Sequence, residues 1–324
     1  MEVKLKFFHH AKAYLLCLLV LSFAVSSHAA WPDRDVTFIV PFPPAGNTDT
    51  VARLIATNVS SSIGKQIIVE NRPGAGSMIG SQLVARAKPD GYTFLVGSIS
   101  NVLNHFFYKK PLYDITNDLI PVSQIINVPN YIVVGDKSEI KTFRDLLIYA
   151  KSNPEKVTCA TTGVGTSTYL TCEMIKAMAG VSITNVPYKG GSAALQSAMA
   201  GEVTFAVANE ALPFIKDGRV MGLAVTTPTR SIFVPNIPAV SEYIPNFDVT
   251  SWYGVFAPAG TSKEIVNDLA SKIQATLKQP EVIKKLESLG AVPVGTSPKE
   301  FARYINLELK KWEIVIKPLN VSVD

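Results

Sequence analysis

The sequence has little of what most catalytic and metal-binding sites are built from. Its 324 residues include three cysteines and four histidines, and three of those histidines fall within the first 28 residues. The remaining histidine, His105, stands among aromatic residues, where a packed histidine is more common than a catalytic one. There is no Gly-x-Ser-x-Gly elbow, no His-Glu-x-x-His helix and no Walker loop. The residues show no catalytic centre, and we expect no metal and no cofactor.

Charge is also scarce. Only 18% of the residues are charged, and a formal net charge of +5 is small for a chain of this length. No run of five basic residues occurs, so we expect no nucleic-acid partner. A hydrophobic content of 47% excludes a disordered chain, and 20 Gly with 21 Pro exclude collagen-like and low-complexity classes. The length indicates two domains.

Long hydrophobic runs are missing as well. The apolar stretch at residues 14–25 has 12 residues, whereas roughly 20 are needed to cross a bilayer. Lysines precede this stretch, and the small residues Ser27 and Ala29 follow it, as in a secretory signal. A single transmembrane anchor is the alternative, which the short run disfavours. We therefore predict that residues 1–29 form a signal peptide, cleaved near Ala29/Ala30.

Removal of that segment leaves two cysteines, Cys159 and Cys172. An even number of cysteines in an exported protein can form a disulfide. Cys159 falls on a predicted strand and Cys172 on the helix that follows it, which favours the disulfide. Two buried thiols are the alternative. We do not expect two cysteines thirteen residues apart, with no histidine beside them, to bind a metal.

What the chain does contain is an alternation of short apolar strands with helical periods. Predicted strands at 36–40, 66–70 and 92–97 are separated by predicted helices at 49–61 and 77–87. This β-α-β-α-β order favours a parallel sheet. A second α/β series follows, and the chain then ends in three helices.

Those last helices bring no new sheet, so we expect them to pack on the first α/β unit. That unit is then discontinuous, and the chain crosses between two lobes twice, which forms a hinge. We predict an α/β protein of two lobes, each a mixed, mostly parallel sheet flanked by helices. Lobe 1 comprises residues 30–127 and 224–324, and lobe 2 comprises residues 128–223.

Two strand-to-helix loops, at residues 41–49 and 161–168, are rich in small hydroxyl, Gly and Pro residues. Each leaves backbone N–H groups unpaired at a helix start, where the helix dipole adds partial positive charge. Such loops lie at the carboxyl ends of strands, where α/β proteins bind ligands. We predict an anion-binding cleft; ordinary helix capping is the alternative. We also expect the Thr166 hydroxyl to donate to the anion, a hydrogen bond worth about 1.5–3 kcal/mol.

Six short motifs occur in order along the chain after the signal segment. They are Val40–Gly46 (VPFPPAG), Glu70–Gly76 (ENRPGAG), Lys88–Tyr92 (KPDGY), Val186–Gly191 (VPYKGG), Leu223–Thr226 (LAVT) and Trp252–Thr261 (WYGVFAPAGT). Together they resemble the tripartite tricarboxylate transporter substrate-binding proteins, also called the Bug family. The resemblance implies a monomeric periplasmic receptor of the type II-like two-lobed fold. Such a receptor closes on a small carboxylate without changing it and delivers it to a membrane permease.

The resemblance also implies which residues bind the ligand, because the family holds it with backbone N–H groups and hydroxyls of the two loops. In this chain the matching residues are Phe42, Ala45, Asn47, Thr48 and Asp49 in the first loop, Thr161, Thr162, Gly163, Thr166, Ser167 and Tyr169 in the second, and Tyr188 and Asn209 on the closing wall.

Three positions depart from the family pattern. Ala45 stands where the family commonly has glycine, and a small residue is expected to be tolerated there. Tyr169 replaces a histidine of the family. Ala208 replaces an aspartate that in the family often precedes the asparagine, here Asn209. Because two polar partners are lost, we expect an acid with an apolar or aromatic far end rather than a cationic amino acid.

Two other functions stay open on the residues alone. One is a secreted hydrolase or transferase acting on a small acid, and the other is a partner that presents a ligand to a signalling receptor. Turnover of candidate acids separates the enzyme from the receptor.

Overall fold

The computed structural model describes residues 31–319, and the predicted signal peptide lies outside them. The described chain forms eleven strands, ten α-helices and three short 3₁₀ turns. Across residues 31–319, no helix combines the length and the apolar character needed to cross a membrane.

The bounds of these elements follow the chain. The strands are β1 (Val36–Val40), β2 (Ile67–Asn71), β3 (Thr93–Ser98), β4 (Leu119–Val128), β5 (Tyr131–Gly135), β6 (Thr158–Thr161), β7 (Thr184–Pro187), β8 (Phe205–Ala208), β9 (Val220–Val225), β10 (Ser251–Pro258) and β11 (Val292–Pro293). The helices are α1 (Asn47–Ile63), α2 (Met78–Ala85), α3 (Ser100–Phe107), α4 (Phe143–Ser152), α5 (Ser167–Ala179), α6 (Gly191–Ala200), α7 (Ala211–Lys216), α8 (Lys263–Thr276), α9 (Pro280–Ser288) and α10 (Pro298–Ile316).

The first sheet has six strands in the order β11-β4-β10-β3-β1-β2. Strand β1 pairs in parallel with β2 and β3, which confirms the β-α-β-α-β unit predicted from the apolar periods. Strand β10 lies antiparallel between β3 and β4. A strand from late in the sequence is therefore built into the middle of the N-terminal sheet.

The second sheet has five strands in the order β7-β6-β8-β5-β9. Strand β6 pairs in parallel with β7 and β8, whereas β5 lies antiparallel between β8 and β9. Both sheets are mixed, as predicted, but parallel pairs are not the majority in either. The reason is that β10 and β5 both enter their sheets just after the chain crosses from the other sheet.

The chain crosses between the sheets twice. It leaves the first sheet after Val128, enters the second at Tyr131, and returns between Val225 and Ser251. Ala224 and Val225 still pair with β5, because β9 runs two residues past the boundary expected after residue 223. The division into lobes stays a prediction, and this pairing favours a boundary at residue 225 or later.

The C-terminal helices pack against the first sheet: α8 contacts α1 and β4, and α10 contacts β4 and α3. One buried carboxylate holds α10 to β10. Glu308 Oε2 accepts hydrogen bonds from the indole N–H groups of Trp252 (2.9 Å) and Trp312 (3.0 Å). Burial raises the pKa of Glu308 despite these bonds and the nearby Lys311. The C-terminal helices therefore help to hold in place the sheet whose loops line the site described below.

A disulfide joins Cys159 in β6 to Cys172 in α5, whose Cα atoms are 6.7 Å apart. Both residues are fully buried. The bond connects the strand before the loop at 161–168 with the helix after it. It therefore restrains the base of that loop.

We predict that the paired replacement Cys159→Ala/Cys172→Ala lowers the free energy of unfolding by about 3 kcal/mol. The cross-link spans a sequence separation of 13 and restricts the unfolded chain. Urea titration measures the loss, and wild-type protein reduced with dithiothreitol is the matched control, which should unfold near the same urea concentration. Recovery of the two cysteine peptides unlinked from non-reduced protein would contradict the bond.

Candidate functional site

A cavity of about 250 Å³ opens where carboxyl ends of strands from both sheets meet. Loops after β1, β3, β6, β7 and β8 line it, together with the start of β10. The lining residues are Phe42, Pro43, Pro44, Ala45, Gly46, Asn47, Thr48, Ser98, Ser100, Thr162, Thr166, Ser167, Lys189, Gly190, Gly191, Ser192, Asn209, Glu210, Ser251 and Tyr253. The two loops singled out in the sequence thus face one cavity.

Part of the predicted binding set lines this cavity. The members that do so are Phe42, Ala45, Asn47, Thr48, Thr162, Thr166, Ser167 and Asn209. His105, the lone histidine after residue 28, is exposed on α3 and does not line the cavity. Within residues 31–319, no three His, Cys, Asp or Glu side chains converge in a way that could hold a metal ion.

The first loop is held in place by hydrogen bonds to the buried carboxylate of Asp49. The Asp49 carboxylate accepts the backbone N–H of Ala45 (2.9 Å), the Arg53 Nε–H (3.0 Å) and the Asn71 amide (2.9 Å). Burial acts to raise the pKa of Asp49, but these bonds outweigh it and lower the pKa. Ala45 is held at a φ of 64°, the left-handed region where the family's glycine is unstrained. Asp49 therefore shapes the loop and does not line the cavity.

The N-terminus of α1 presents backbone donors to the cavity. The Asn47 N–H donates to Glu210 Oε1 at 3.2 Å, so a side chain that follows β8 already occupies that donor. The next N–H, that of Thr48, donates to no protein group in the described chain. The first turn of a helix leaves such groups without an intrahelical acceptor. In this turn, the Asn47 N–H is therefore hydrogen-bonded to the protein, and the Thr48 N–H is free to bind an acceptor.

The second loop is organised by Thr166, which caps α5. Its hydroxyl donates to the carbonyl oxygen of Gly163 (2.6 Å) and accepts the N–H of Tyr169 (3.4 Å). The hydroxyl hydrogen is used within the loop here, and the expectation that Thr166 donates to a ligand stays a prediction. The backbone of Thr162 is also held within the loop, since its N–H donates to Thr168 Oγ1 at 2.9 Å.

Ser167 opens α5 and supplies the corresponding donor from the second sheet. Its hydroxyl donates to Asn130 Oδ1 (3.1 Å), whereas its backbone N–H has no acceptor among residues 31–319. The Asn209 amide also donates to Asn130 Oδ1, at 2.9 Å. Thr48 and Ser167 thus each have an open N–H at the start of a helix. The two helices follow strands of different sheets, and both residues line the same cavity. Helix dipoles make both positions favourable for an anion.

The structure does not bring every predicted residue to the cavity. Those that do not line it are Asp49, Thr161, Gly163, Tyr169 and Tyr188. Thr161 is fully buried at the end of β6, and Gly163 accepts the Thr166 hydroxyl. Tyr169 packs edge-on against Phe107, with ring centroids 5.8 Å apart, and Tyr188 packs on the apolar core of the second sheet. Sequence order alone could not show which way these side chains point.

The sequence reasoning missed several residues that line the cavity. They include Ser98, Ser100, Lys189, Ser192, Glu210, Ser251 and Tyr253. A signal existed for two of them, because Lys189 lies inside the VPYKGG motif and Tyr253 inside the WYGVFAPAGT motif. These side chains make the cavity more polar than expected from the loss of the family's His and Asp. The argument for an apolar far end of the ligand is weakened accordingly.

Glu210 is the most unusual of these residues. Its Oε2 atom is buried without a hydrogen-bond partner in the described chain, and a Cβ added at Gly191 would collide with that atom. Burial raises the pKa of Glu210 above its usual value. Tyr253 is buried beside it, and its pKa is raised first by burial and then by the Glu210 charge. Burial therefore favours the uncharged form of this carboxyl group inside the cavity.

Two mixed α/β sheets, joined by two crossings over a polar cavity, define a periplasmic-binding-protein fold, and solved structures agree. A structure titled as a periplasmic transporter matches with a TM-score of 0.87 and 34% identity, over 91% of this chain and 100% of that one. "R. palustris Rpa4515 with adipate" matches with a TM-score of 0.85 and 34% identity, over 89% and 98%. MatC of Rhodopseudomonas palustris with bound malate matches with a TM-score of 0.82 and 31% identity, over 88% and 100%.

The family follows from the sequence comparisons. The model of the tripartite tricarboxylate transporter family receptor (TctC) matches residues 51–321. A UPF0065 protein from the tcbD-tcbE intergenic region of Pseudomonas sp. strain P51 is 37% identical, over 89% of this chain and 87% of that protein. BugT of Bordetella pertussis is 32% identical, over 89% and 90%. The chain belongs to the tripartite tricarboxylate transporter receptor family, which confirms the resemblance seen in its motifs.

We predict that Thr166→Val lowers the free energy of unfolding by about 1 kcal/mol, because it removes the N-cap of α5. Thr166→Ser keeps a hydroxyl that can cap the helix and should stay within a few tenths of a kcal/mol of the wild type. Thermal unfolding followed by circular dichroism measures both variants. Equal stability of the valine and serine variants would show that the cap is not used.

We predict that Glu210→Gln raises the melting temperature at pH 7.5. A carboxyl whose pKa is raised in the folded state disfavours folding once it must ionise, whereas glutamine avoids this and can still accept from Asn47. Below the usual pKa of 4.5 both folded and unfolded states are protonated, so the difference should shrink as the pH falls toward that value. Melting curves from pH 4 to 8 test this, and a gap that widens on acidification is the opposite outcome.

Proposed function

We propose that this chain is a periplasmic receptor that captures a small carboxylate in the cavity and delivers it, unaltered, to the membrane permease of a tripartite tricarboxylate-type transporter. The observation that supports this most directly is that Thr48 and Ser167, each with an open backbone N–H at the start of a helix, line one cavity. Amide donors at helix N-termini stabilise a carboxylate without a basic side chain. Relatives whose structures contain adipate and malate support the same ligand class.

The size of the cavity favours a small ligand. Its volume of about 250 Å³ lies just below the range of about 300–1,000 Å³ that is typical of small-molecule pockets. An organic acid of few carbons suits a cavity of this size.

The two chain crossings support a receptor that opens and closes. Segments at 129–130 and 226–250 join the sheets, and hinge motion about a few such residues is a common way for lobes to close on a ligand. A ligand that contacts both helix N-termini binds the closed form better and shifts the population toward it. The closed form is then the one that the permease recognises. We further propose export by the N-terminal signal and action as a monomer.

Native mass spectrometry of protein purified from a bacterial periplasm tests the proposed function. We expect the protein to retain a small carboxylate, which is then identified and added back to stripped protein. The returned acid should raise the melting temperature and be recovered chemically unchanged after prolonged incubation. Conversion of the acid to a product would instead support the secreted hydrolase or transferase.

We predict that Ser167→Pro weakens carboxylate binding by about 10- to 150-fold, the equivalent of one hydrogen bond to a charged group. Proline removes the backbone N–H and is well tolerated at the first position of a helix. The preceding Thr166 has φ −101° and ψ 162°, which suits a residue before proline. Ser167→Ala is the matched control, because it loses the hydroxyl but keeps the N–H.

Calorimetry with the acid recovered from the wild type measures both Ser167 variants. The proline variant should lose affinity well beyond the alanine variant. If both bind as tightly as the wild type, the α5 amide does not hold the carboxylate.

A further inference from the structure

The Glu210 carboxyl group is enclosed where three elements meet at the cavity. Glu210 follows β8 of the second sheet and lines the cavity. Its Oε1 atom accepts the backbone N–H of Asn47, at the start of α1, at 3.2 Å. Its Oε2 atom lies against Gly191, at the start of α6, where an added Cβ would collide with it. The group is therefore held away from water by the ends of β8, α1 and α6.

This enclosure affects the protonation state of the carboxyl group. Burial raises the pKa of Glu210, and the backbone N–H groups that donate to it offset only part of that rise. Tyr253, the ionisable side chain on β10 beside it, is neutral at ordinary pH because burial raises its pKa as well. Tyr253 therefore brings no charge that would favour either form of Glu210.

The charged side chains on the neighbouring elements do not oppose the effect of burial. Lys189, before α6, and Lys216, in the last turn of α7, are both exposed, so water screens their charges. On α1, Arg53 is paired with Asp49 at 3.0 Å. The surroundings of Glu210 therefore favour its uncharged form.

The hydrogen bonds of Glu210 indicate which oxygen carries the proton. Because Oε1 already accepts an N–H, the hydroxyl hydrogen of the uncharged group belongs on Oε2. Oε2 is buried and has no hydrogen-bond partner within residues 31–319. A buried hydroxyl without an acceptor is costly, and buried polar groups nearly always have a partner. The Oε2 hydroxyl therefore indicates an acceptor that arrives with the ligand.

The side chain of Asn47 is a second, independent observation at the same place. It is 4% exposed and lines the cavity, and neither Oδ1 nor Nδ2 has a hydrogen-bond partner in the described chain. Its amide can donate at any pH, next to the open N–H of Thr48. Donors on two residues that are hydrogen-bonded to each other thus favour a ligand group that only accepts, as a carboxylate does.

We propose that Glu210 binds the ligand as an uncharged acid, with its Oε2–H donating to a carboxylate oxygen of the ligand. A carboxyl group kept neutral by its surroundings can serve as a donor, and an O–H bond to an anionic oxygen is stronger than one between neutral groups. Where free Glu210 is ionised, binding takes up one proton from solvent, which stays on Oε2. This inference rests on the proposed carboxylate-binding function and adds a pH dependence to it.

Glu210→Gln tests the proposal, because its amide can still donate and accept but does not titrate. The probes are butanoate, malate and adipate, with any acid recovered from the purified protein. Calorimetry from pH 6.5 to 8.5 should show wild-type affinity falling relative to the variant by up to about tenfold per pH unit above the pKa of free Glu210. Heats in two buffers of different ionisation enthalpy should show up to one proton taken up by the wild type and none by the variant.

Infrared spectroscopy examines the proton directly. At pH 7.5, the spectrum of the wild-type complex minus that of the Glu210→Gln complex should contain the carbonyl band of a protonated carboxyl group. The buried Glu308 is common to both proteins and cancels in this difference. Where the band is already present in the free protein, the bound acid should lower its frequency, because the hydroxyl then donates.

Glu202→Gln is the control, since Glu202 is exposed before the other end of β8. This variant should keep the wild-type affinity at each pH and the infrared band. A wild type that binds an acid without the band, or with a band that the acid does not move, overturns this inference alone. If none of the acids binds to any of the proteins, the proposed function is overturned with it.

Discussion

The fold depends on one fully buried amide, that of Asn130, at the first crossing between the sheets. Its Nδ2 donates to Val249 O (3.0 Å) and Thr171 Oγ1 (3.3 Å), and its Oδ1 accepts from Ser167 and Asn209. All four hydrogen-bonding positions of the side chain are thus used. This single group connects both crossings, the start of α5 and the end of β8. A buried amide that lost one of these partners would leave polar groups unpaired, so the arrangement is strongly specified.

Around that amide, the loops after β1 and β6 are preorganised by hydrogen bonds within the loops and to neighbouring elements. Asp49 fixes the first loop, Thr166 caps α5 in the second, and the disulfide holds the base of the second. Side chains that a sequence suggests as ligand contacts here serve to hold backbone N–H groups in place. Under the proposed function, a ligand would meet donors that are already held in place, so little ordering entropy would oppose binding.

The sequence predicted the β1, β2 and β3 unit, the loops after β1 and β6, and the family, because apolar periods and loop motifs are local features. The lobe boundary predicted after residue 127 falls one residue before the end of β4 at Val128, close to where the chain crosses to β5. The sequence did not indicate Glu210, whose importance depends on the approach of Asn47 from 163 residues away. Contacts of that kind are created by the crossings and have no periodic signature.

Trp252 is an intrinsic fluorophore on the strand that contributes to the cavity. This indole is fully buried and held by Glu308, and it lies between Ser251 and Tyr253, which both line the cavity. The Trp252 side chain points to the other face of β10 from those of Ser251 and Tyr253. Because the emission of an indole depends on the local electric field, we expect a ligand bound against β10 to change this fluorescence through the strand. Trp312 shares the same carboxylate but lies on α10 and does not line the cavity, and it supplies a steady background. The intrinsic tryptophan fluorescence would then report whether the cavity is occupied.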